Sequence, residues 1–236
     1  MSDFSRVQML IGKDKLNKLK NSHVAVFGVG GVGGYTVEAL ARSGVGEITV
    51  FDNDTVALSN INRQIIATVD AVGKDKVSVV KQRLERINPE IKVNVEKTFY
   101  LPENASLFDL KKYDYVVDAI DTVTAKIELI MRAKESGVPI ISCMGTGLKT
   151  DIEGLKVSDI KDTKVCPLAR VMRRELKKRG VESLKVVYSE EEPVIAEDEM
   201  ITESESGKKI PPSMIFVPAS AGLMLAREVV FDLIKE

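Results

Sequence analysis

The chain has 236 residues, 44% hydrophobic and 29% charged, enough to bury a sizeable core in one domain or two closely packed halves. Its 34 basic and 35 acidic side chains leave a formal net charge of −1, so charge selects no partner globally. Two cysteines, Cys143 and Cys166, exclude a disulfide framework and the Cys-x-x-Cys pairs of a structural zinc site, as expected of a compact cytoplasmic protein without zinc.

The N-terminal stretch, with Asp3, Arg6, Lys13, Asp14 and Lys15, lacks the apolar centre of a signal peptide. Val24 to Phe27 reads as a buried strand and Tyr35 to Ser43 as a helix, with Gly28-Val29-Gly30-Gly31-Val32-Gly33 between them. In that setting Gly28 permits a tight turn, Gly30 lets the backbone approach a phosphate, and Gly33 brings helix and strand close. The helix N-terminus adds partial positive charge. Asp52 ends a second strand, Glu47 to Phe51, where a carboxylate accepts ribose hydroxyls.

A hydride-transfer enzyme needs a proton donor, and the single histidine, His23, opens the first strand, capping it or facing solvent. The residues after Asp52 suit a triphosphate instead: Asp54, Asn60, Arg63 and Gln64, then Lys74 and Lys76 at the start of a helix. No Walker-type lysine comes after the glycines, since Gly34, Tyr35 and Thr36 stand there. Positive charge must then come from elsewhere in the chain, with Arg63 and Lys76 as the obvious candidates. Taken singly, these two also read as ordinary surface charges, and Asp121 as a helix N-cap before Thr122 to Ser136.

Further strands are expected at 91–96, 114–118 and 138–143, alternating with helices. That pattern predicts a Rossmann-like, doubly wound, mostly parallel α/β sheet, with residues 1–150 and their N-terminal helices as the nucleotide-binding region. Residues 151–236 read as a substrate-binding portion of mixed strands and helices. Strands are expected at Gly154–Val157, Leu184–Tyr188 and Ser213–Val217, with helices at Pro167–Arg179 and from Ala219. Every charge between Ser189 and Ser206 is acidic, which predicts a solvated loop near 189–212. The apolar stretch from Pro218 is broken by Arg227, Glu228 and Asp232, as in a docked helix and not a membrane span. On the helix after Cys166, Arg170, Arg173, Arg174, Lys177 and Lys178 recur at helical spacing opposite Val171, Met172 and Leu176. This basic stripe suits a polyanion or is simply a solvated face.

The ordered set Gly28-Val-Gly-Gly-Val-Gly, Asp52 through Asn60 to Arg63-Gln64, Val72-Gly-Lys-Asp-Lys76 and Asp118-Ala-Ile-Asp121 resembles the ThiF-like adenylyltransferases, relatives of the ubiquitin-activating enzymes. Carried over residue by residue, the resemblance implies that Gly28, Gly30, Gly31 and Gly33 cradle ATP and Asp52 holds the ribose. Asn60, Arg63 and Gln64 then contact the phosphates, Lys76 neutralises them, and Asp121 helps hold magnesium. Arg6 resembles an N-terminal arginine that reaches into a partner subunit's site, which implies a homodimer. Such groups are what attack by a carboxylate on the α-phosphorus requires. Two anions about 4 Å apart repel by about 4 kcal/mol at an effective dielectric of 20, a penalty of about three decades in rate. Preorganised cations remove it.

The run from Val165-Cys166-Pro-Leu-Ala-Arg170 to Gly180, then Lys185 to Pro193 and Phe216 to Gly222, resembles the branch of that superfamily that acts on threonylcarbamoyladenosine in tRNA. This implies ATP-dependent cyclisation of the nucleoside side chain through an acyl adenylate, with tRNA bound along the basic helix. A sulfur-relay partner and a monovalent cation near the dimer interface stay open. Because the ring closes by intramolecular attack, no protein nucleophile is required, although Cys166 ahead of a helix N-terminus also reads as a thioester nucleophile. Two other readings compete. One is an adenylyltransferase that activates the C-terminus of a small sulfur-carrier protein. The other is a nicotinamide-dependent oxidoreductase or a regulatory nucleotide-binding module.

Overall fold

The computed structural model describes residues 4–194 and 211–235. Two short helices, α1 (Ser5–Ile11) and α2 (Lys13–Lys20), lead into β1 (His23–Phe27), α3 (Gly33–Arg42), β2 (Glu47–Phe51), α4 (Lys76–Ile87) and β3 (Lys92–Glu96). The chain continues through β4 (Tyr115–Asp118), α5 (Val123–Ser136), β5 (Ile140–Cys143), β6 (Leu155–Asp159), α6 (Pro167–Lys178), β7 (Lys185–Ser189) and α7 (Phe216–Leu233). The seven strands form one sheet in the order β3-β2-β1-β4-β5-β7-β6, parallel except for β6, which runs antiparallel to β7. This is the doubly wound α/β sheet expected from the alternation of apolar runs and helices.

Alternate residues of each strand feed opposite faces. Val24 and Val26 pack with Val37 and Leu40 of α3, Val80 and Leu84 of α4, and Leu225 and Val229 of α7. Ala25 and Phe27 pack with Leu129 and Ile130 of α5 and Met172 and Leu176 of α6. With both faces covered, the central strands β1, β4 and β5 are near-continuous apolar runs, as buried parallel strands require, whereas the edge strands β3 and β6 are partly exposed. β1 and β4 are neighbours although β2 and β3 intervene in sequence, so the chain reverses its winding direction there and opens a crevice beyond the strand ends.

One expected element is absent: Ser213–Val217 is not a strand. Residues 213–215 are irregular and α7 begins at Phe216, placing Pro218 in its first turn, where a missing N–H costs nothing. Met214, Ile215 and Phe216 are all exposed while Val217 is buried, so the run lacks the alternation of a half-buried strand. Of the acidic loop expected near 189–212, residues 195–210 lie outside the described residues. Among the described residues, no helix is long and apolar enough to cross a membrane.

Candidate active site

The crevice at the β1/β4 switch point is a cavity of about 810 Å³. One wall is the glycine run. Gly28 has φ +86°, and a Cβ there would lie 2.7 Å from the Ala119 carbonyl oxygen, so only glycine fits the turn. At Gly33 a Cβ would lie 1.8 Å from the Gly28 oxygen, which is how closely α3 is drawn onto β1. Gly30 is different: a Cβ would meet only the Gln64 amide nitrogen, at 3.8 Å, and the bare backbone faces the cavity. Val32, the N-cap residue of α3, supplies no side-chain cap, and although the Gly34 N–H is taken by the Gly30 carbonyl at 3.0 Å, the positive end of the helix faces this wall.

The second wall runs along β2. Asp52 accepts the Val29 N–H on Oδ2 and the Asp54 N–H on Oδ1, each at 2.9 Å, so the carboxylate is locked against the glycine run with lone pairs to spare. The Lys76 ammonium, at the start of α4, is 2.7 Å from Asp54 Oδ2 and nearly buried. Arg63 donates to the Ser59 carbonyl at 2.9 Å and to Asn62 Oδ1 at 3.0 Å, which aims its half-buried guanidinium along the cavity. Asn60 is spent partly on structure, its Oδ1 accepting the Ala57 N–H at 3.0 Å. The buried Gln64 Oε1 has no hydrogen-bond partner, and Gln64 lines the same space. An orphaned acceptor in this lining suits a donor group on a ligand or a water.

The third wall comes from β4 and β5. Asp121 lies one residue before Thr122, the N-cap of α5, and accepts the Thr122 hydroxyl at 3.2 Å. Asp121 therefore faces the cavity without being the cap residue. Cys143, Met144, Gly145, Thr146 and Gly147 continue from β5 along the same wall. The cavity thus gathers Gly28, Gly30, Gly31, Asp52, Asn60, Arg63, Gln64, Lys76 and Asp121 from five separated segments. Gly33 lies just behind them. Arg6 stands exposed on α1 and does not line its own chain's cavity.

Sequence reading did not anticipate three parts of this site. Thr98, Phe99 and Tyr100 after β3 close one end of the cavity. Burial pushes the Tyr100 hydroxyl well above its usual range, so it stays protonated. From the C-terminal region, Pro211, Ser213 and Pro218 close the other side. Asn62 donates to the Ser213 carbonyl at 2.8 Å, and Thr36 donates to the Gly222 carbonyl at 3.1 Å, binding α7 to α3 behind the glycines. Finally, Asp118 and Lys126 form an ion pair of 2.9 Å beneath the cavity floor, both side chains wholly buried.

The cysteines are poor nucleophiles here. Burial pushes the Cys143 thiol up to about 12, and Cys166, the N-cap residue of α6, is buried and outside the cavity lining. The basic stripe of α6 is also less uniform than its spacing implies. Arg170 and Lys177 are exposed, but Arg173 turns inward and donates to the Thr163 carbonyl and hydroxyl, each at 2.7 Å. Arg174 and Lys178 share Glu175 with Arg179. Hydrogen bonds from Lys178 and Arg179, then Arg174, pull the Glu175 carboxyl down to about 2. Among the described residues there is no group of three or more His, Cys, Asp or Glu side chains placed to hold a metal ion by themselves.

The chain is 42% identical over 244 residues to the tRNA threonylcarbamoyladenosine dehydratase of Bacillus subtilis (strain 168), covering 100% of this chain and 96% of that relative. It is similar to the crystal structure of Escherichia coli tRNA N6-threonylcarbamoyladenosine dehydratase in complex with ATP, with a TM-score of 0.88 at 32% identity over 98% of this chain and 93% of that one. A more partial likeness, 38% over 135 residues, covers 57% of this chain and 29% of an adenylyltransferase and sulfurtransferase of Debaryomyces hansenii. A family model described as "ThiF family" matches residues 4–230, and the chain belongs to that family.

Proposed function

We propose that the protein is an ATP-dependent tRNA threonylcarbamoyladenosine dehydratase. The observation that carries this reading is the cavity in which a glycine cradle, the cations Arg63 and Lys76 and the carboxylates Asp52 and Asp121 meet the Gly145-Thr146-Gly147 segment. Full-length likeness to relatives of that name supports it, as does ATP in one of their structures. ATP lies with its phosphates along Gly30 to Val32 and its ribose at Asp52. Arg63 and Lys76 neutralise the phosphates while the threonyl carboxylate approaches the α-phosphorus from the 145–147 side. The bond to pyrophosphate breaks as the carboxylate–phosphorus bond forms, giving an acyl adenylate. The neighbouring carbamoyl group then attacks the activated carbonyl, closing a ring and expelling AMP. The net change is loss of water from the nucleoside at the cost of ATP. Asp121 would help hold a magnesium ion arriving with ATP, which is bound through one or two carboxylates plus substrate phosphates and would add charge neutralisation there.

Arg170, Arg174, Lys177 and Lys178 of α6 are the proposed tRNA-facing residues. The active unit is a cytoplasmic homodimer in which exposed Arg6 enters the partner's cavity. The test is mass spectrometry of nucleosides after incubating the protein with ATP, magnesium and tRNA carrying threonylcarbamoyladenosine. The ring-closed nucleoside appears, with stoichiometric AMP. Its absence, alongside pyrophosphate exchange stimulated by a sulfur-carrier protein, would move the assignment to that other adenylyltransferase class.

A further inference from the structure

Lys126 is 0% exposed and sits in the first turn of α5. Two features make it costly there. A cation in the first turn opposes the helix dipole, and a buried ion pair is rarely more stabilising than apolar residues of the same volume. Its contacts show what it does instead. Besides Asp118 Oδ2, the ammonium donates to the Ile120 carbonyl at 3.0 Å and the Cys143 carbonyl at 2.8 Å, which uses all three of its protons. Asp118 is held in turn, accepting the Ser142 hydroxyl on Oδ2 at 2.5 Å and the Ile120 N–H on Oδ1 at 3.1 Å.

The β4–β5 ladder ends at the pair Asp118 and Ser142. Ile120 lies beyond that last pair, immediately before Asp121, and Cys143 immediately before Met144 to Gly147. We propose that Lys126 is a positioning residue: its ammonium replaces the missing ladder bonds and fixes the Asp121 loop against the 144–147 wall. On the proposed function above, those are the walls that carry the metal-facing carboxylate and receive the tRNA side chain. The protein would therefore hold the two substrates in register through a group that touches neither.

The test compares wild type with the double variant Asp118→Asn/Lys126→Met, which removes both charges at nearly constant volume, and with Ser142→Ala, which keeps both. In the double variant, ATP Kd stays within threefold of wild type and KM for ATP is unchanged. The kcat for product formation falls at least 30-fold, and amide hydrogen exchange at 119–122 and 144–147 accelerates at least tenfold. In Ser142→Ala the same two segments exchange two- to fivefold faster, which decides the matter should the double variant fail to fold. Wild-type exchange in both segments would overturn the proposal, as would a fall in ATP affinity that accounts for the whole loss of activity. If wild type itself makes no ring-closed nucleoside, the functional reading fails, while the exchange data still judge Lys126.

Discussion

Gly30 and Gly33 lie three residues apart in one motif, yet the structure assigns them opposite sensitivities. In Gly33→Ala the new methyl would sit 1.8 Å from the Gly28 carbonyl oxygen and 3.3 Å from the Ala119 Cβ. Non-bonded heavy atoms rest about 3.5 Å apart, so α3 must move off β1 by about 1.5 Å. The obstacle is backbone and cannot rotate away. Overpacking of this kind costs at least about 3 kcal/mol. At about 2–4 °C per kcal/mol for a chain of this size, Tm falls by roughly 6–12 °C. In Gly30→Ala the methyl meets only the Gln64 amide nitrogen, at 3.8 Å, an ordinary contact. Stability then stays within about 0.5 kcal/mol of wild type. The methyl occupies space meant for phosphate, however, and ATP binding weakens by about tenfold or more, about 1.4 kcal/mol. Thermal melts and calorimetric titration with ATP read the two effects separately. Equal Tm losses in the two variants, or wild-type ATP affinity in Gly30→Ala, would refute this division of labour.

Arg63→Ala and Lys76→Met are expected to fold normally and to lose about three decades of adenylation rate in an ATP–pyrophosphate exchange assay, the value of one uncompensated repulsion at about 4 Å. Charge reversal at Arg174 and Lys177 reduces the slope of tRNA affinity against salt by about one to two, whereas Arg173→Ala lowers Tm and leaves that slope alone, because Arg173 is bound to Thr163. Burial alone would raise the Asp232 carboxyl, but hydrogen bonds from Lys185 and Tyr115 outweigh it and hold the carboxyl below its usual value. Its stabilising contribution is therefore full above the unfolded carboxylate pKa of about 3.9 and is lost as pH falls through the lower folded value. The Tm deficit of Asp232→Asn is accordingly constant near neutrality and shrinks below about pH 4. Cys166→Ala keeps its turnover with modified tRNA, since the thiol is buried behind the cavity; a loss of 100-fold without a change in Tm would reinstate a covalent role.

The parts of the site legible in the sequence are those whose chemistry is fixed locally. A strand, a glycine turn and a helix start must be contiguous to bind phosphate, so Gly28 to Gly33 and Asp52 announce themselves, and the structure places them together. The parts that were not legible depend on partners far away in sequence. Lys126 reads as one more polar position on an amphipathic helix until the sheet brings Ile120 and Cys143 to its ammonium. The spacing of Arg173 fits a solvent stripe as well as an anchor, and only Thr163, ten residues earlier, decides between them. Ser213 to Val217 carries enough apolar residues for a strand, but no edge of the sheet receives it. Its carbonyl at Ser213 is taken by Asn62, and α7 begins early so that Gly222 can press within 2.4 Å (as a would-be Cβ) of the Val32 oxygen. The same close approach explains why a C-terminal helix belongs to a nucleotide site at the other end of the chain. With Gly222 and Pro218 set against Val32 and Gly31, the glycine cradle is braced from behind, and α7 acts on ATP binding through the backbone it supports.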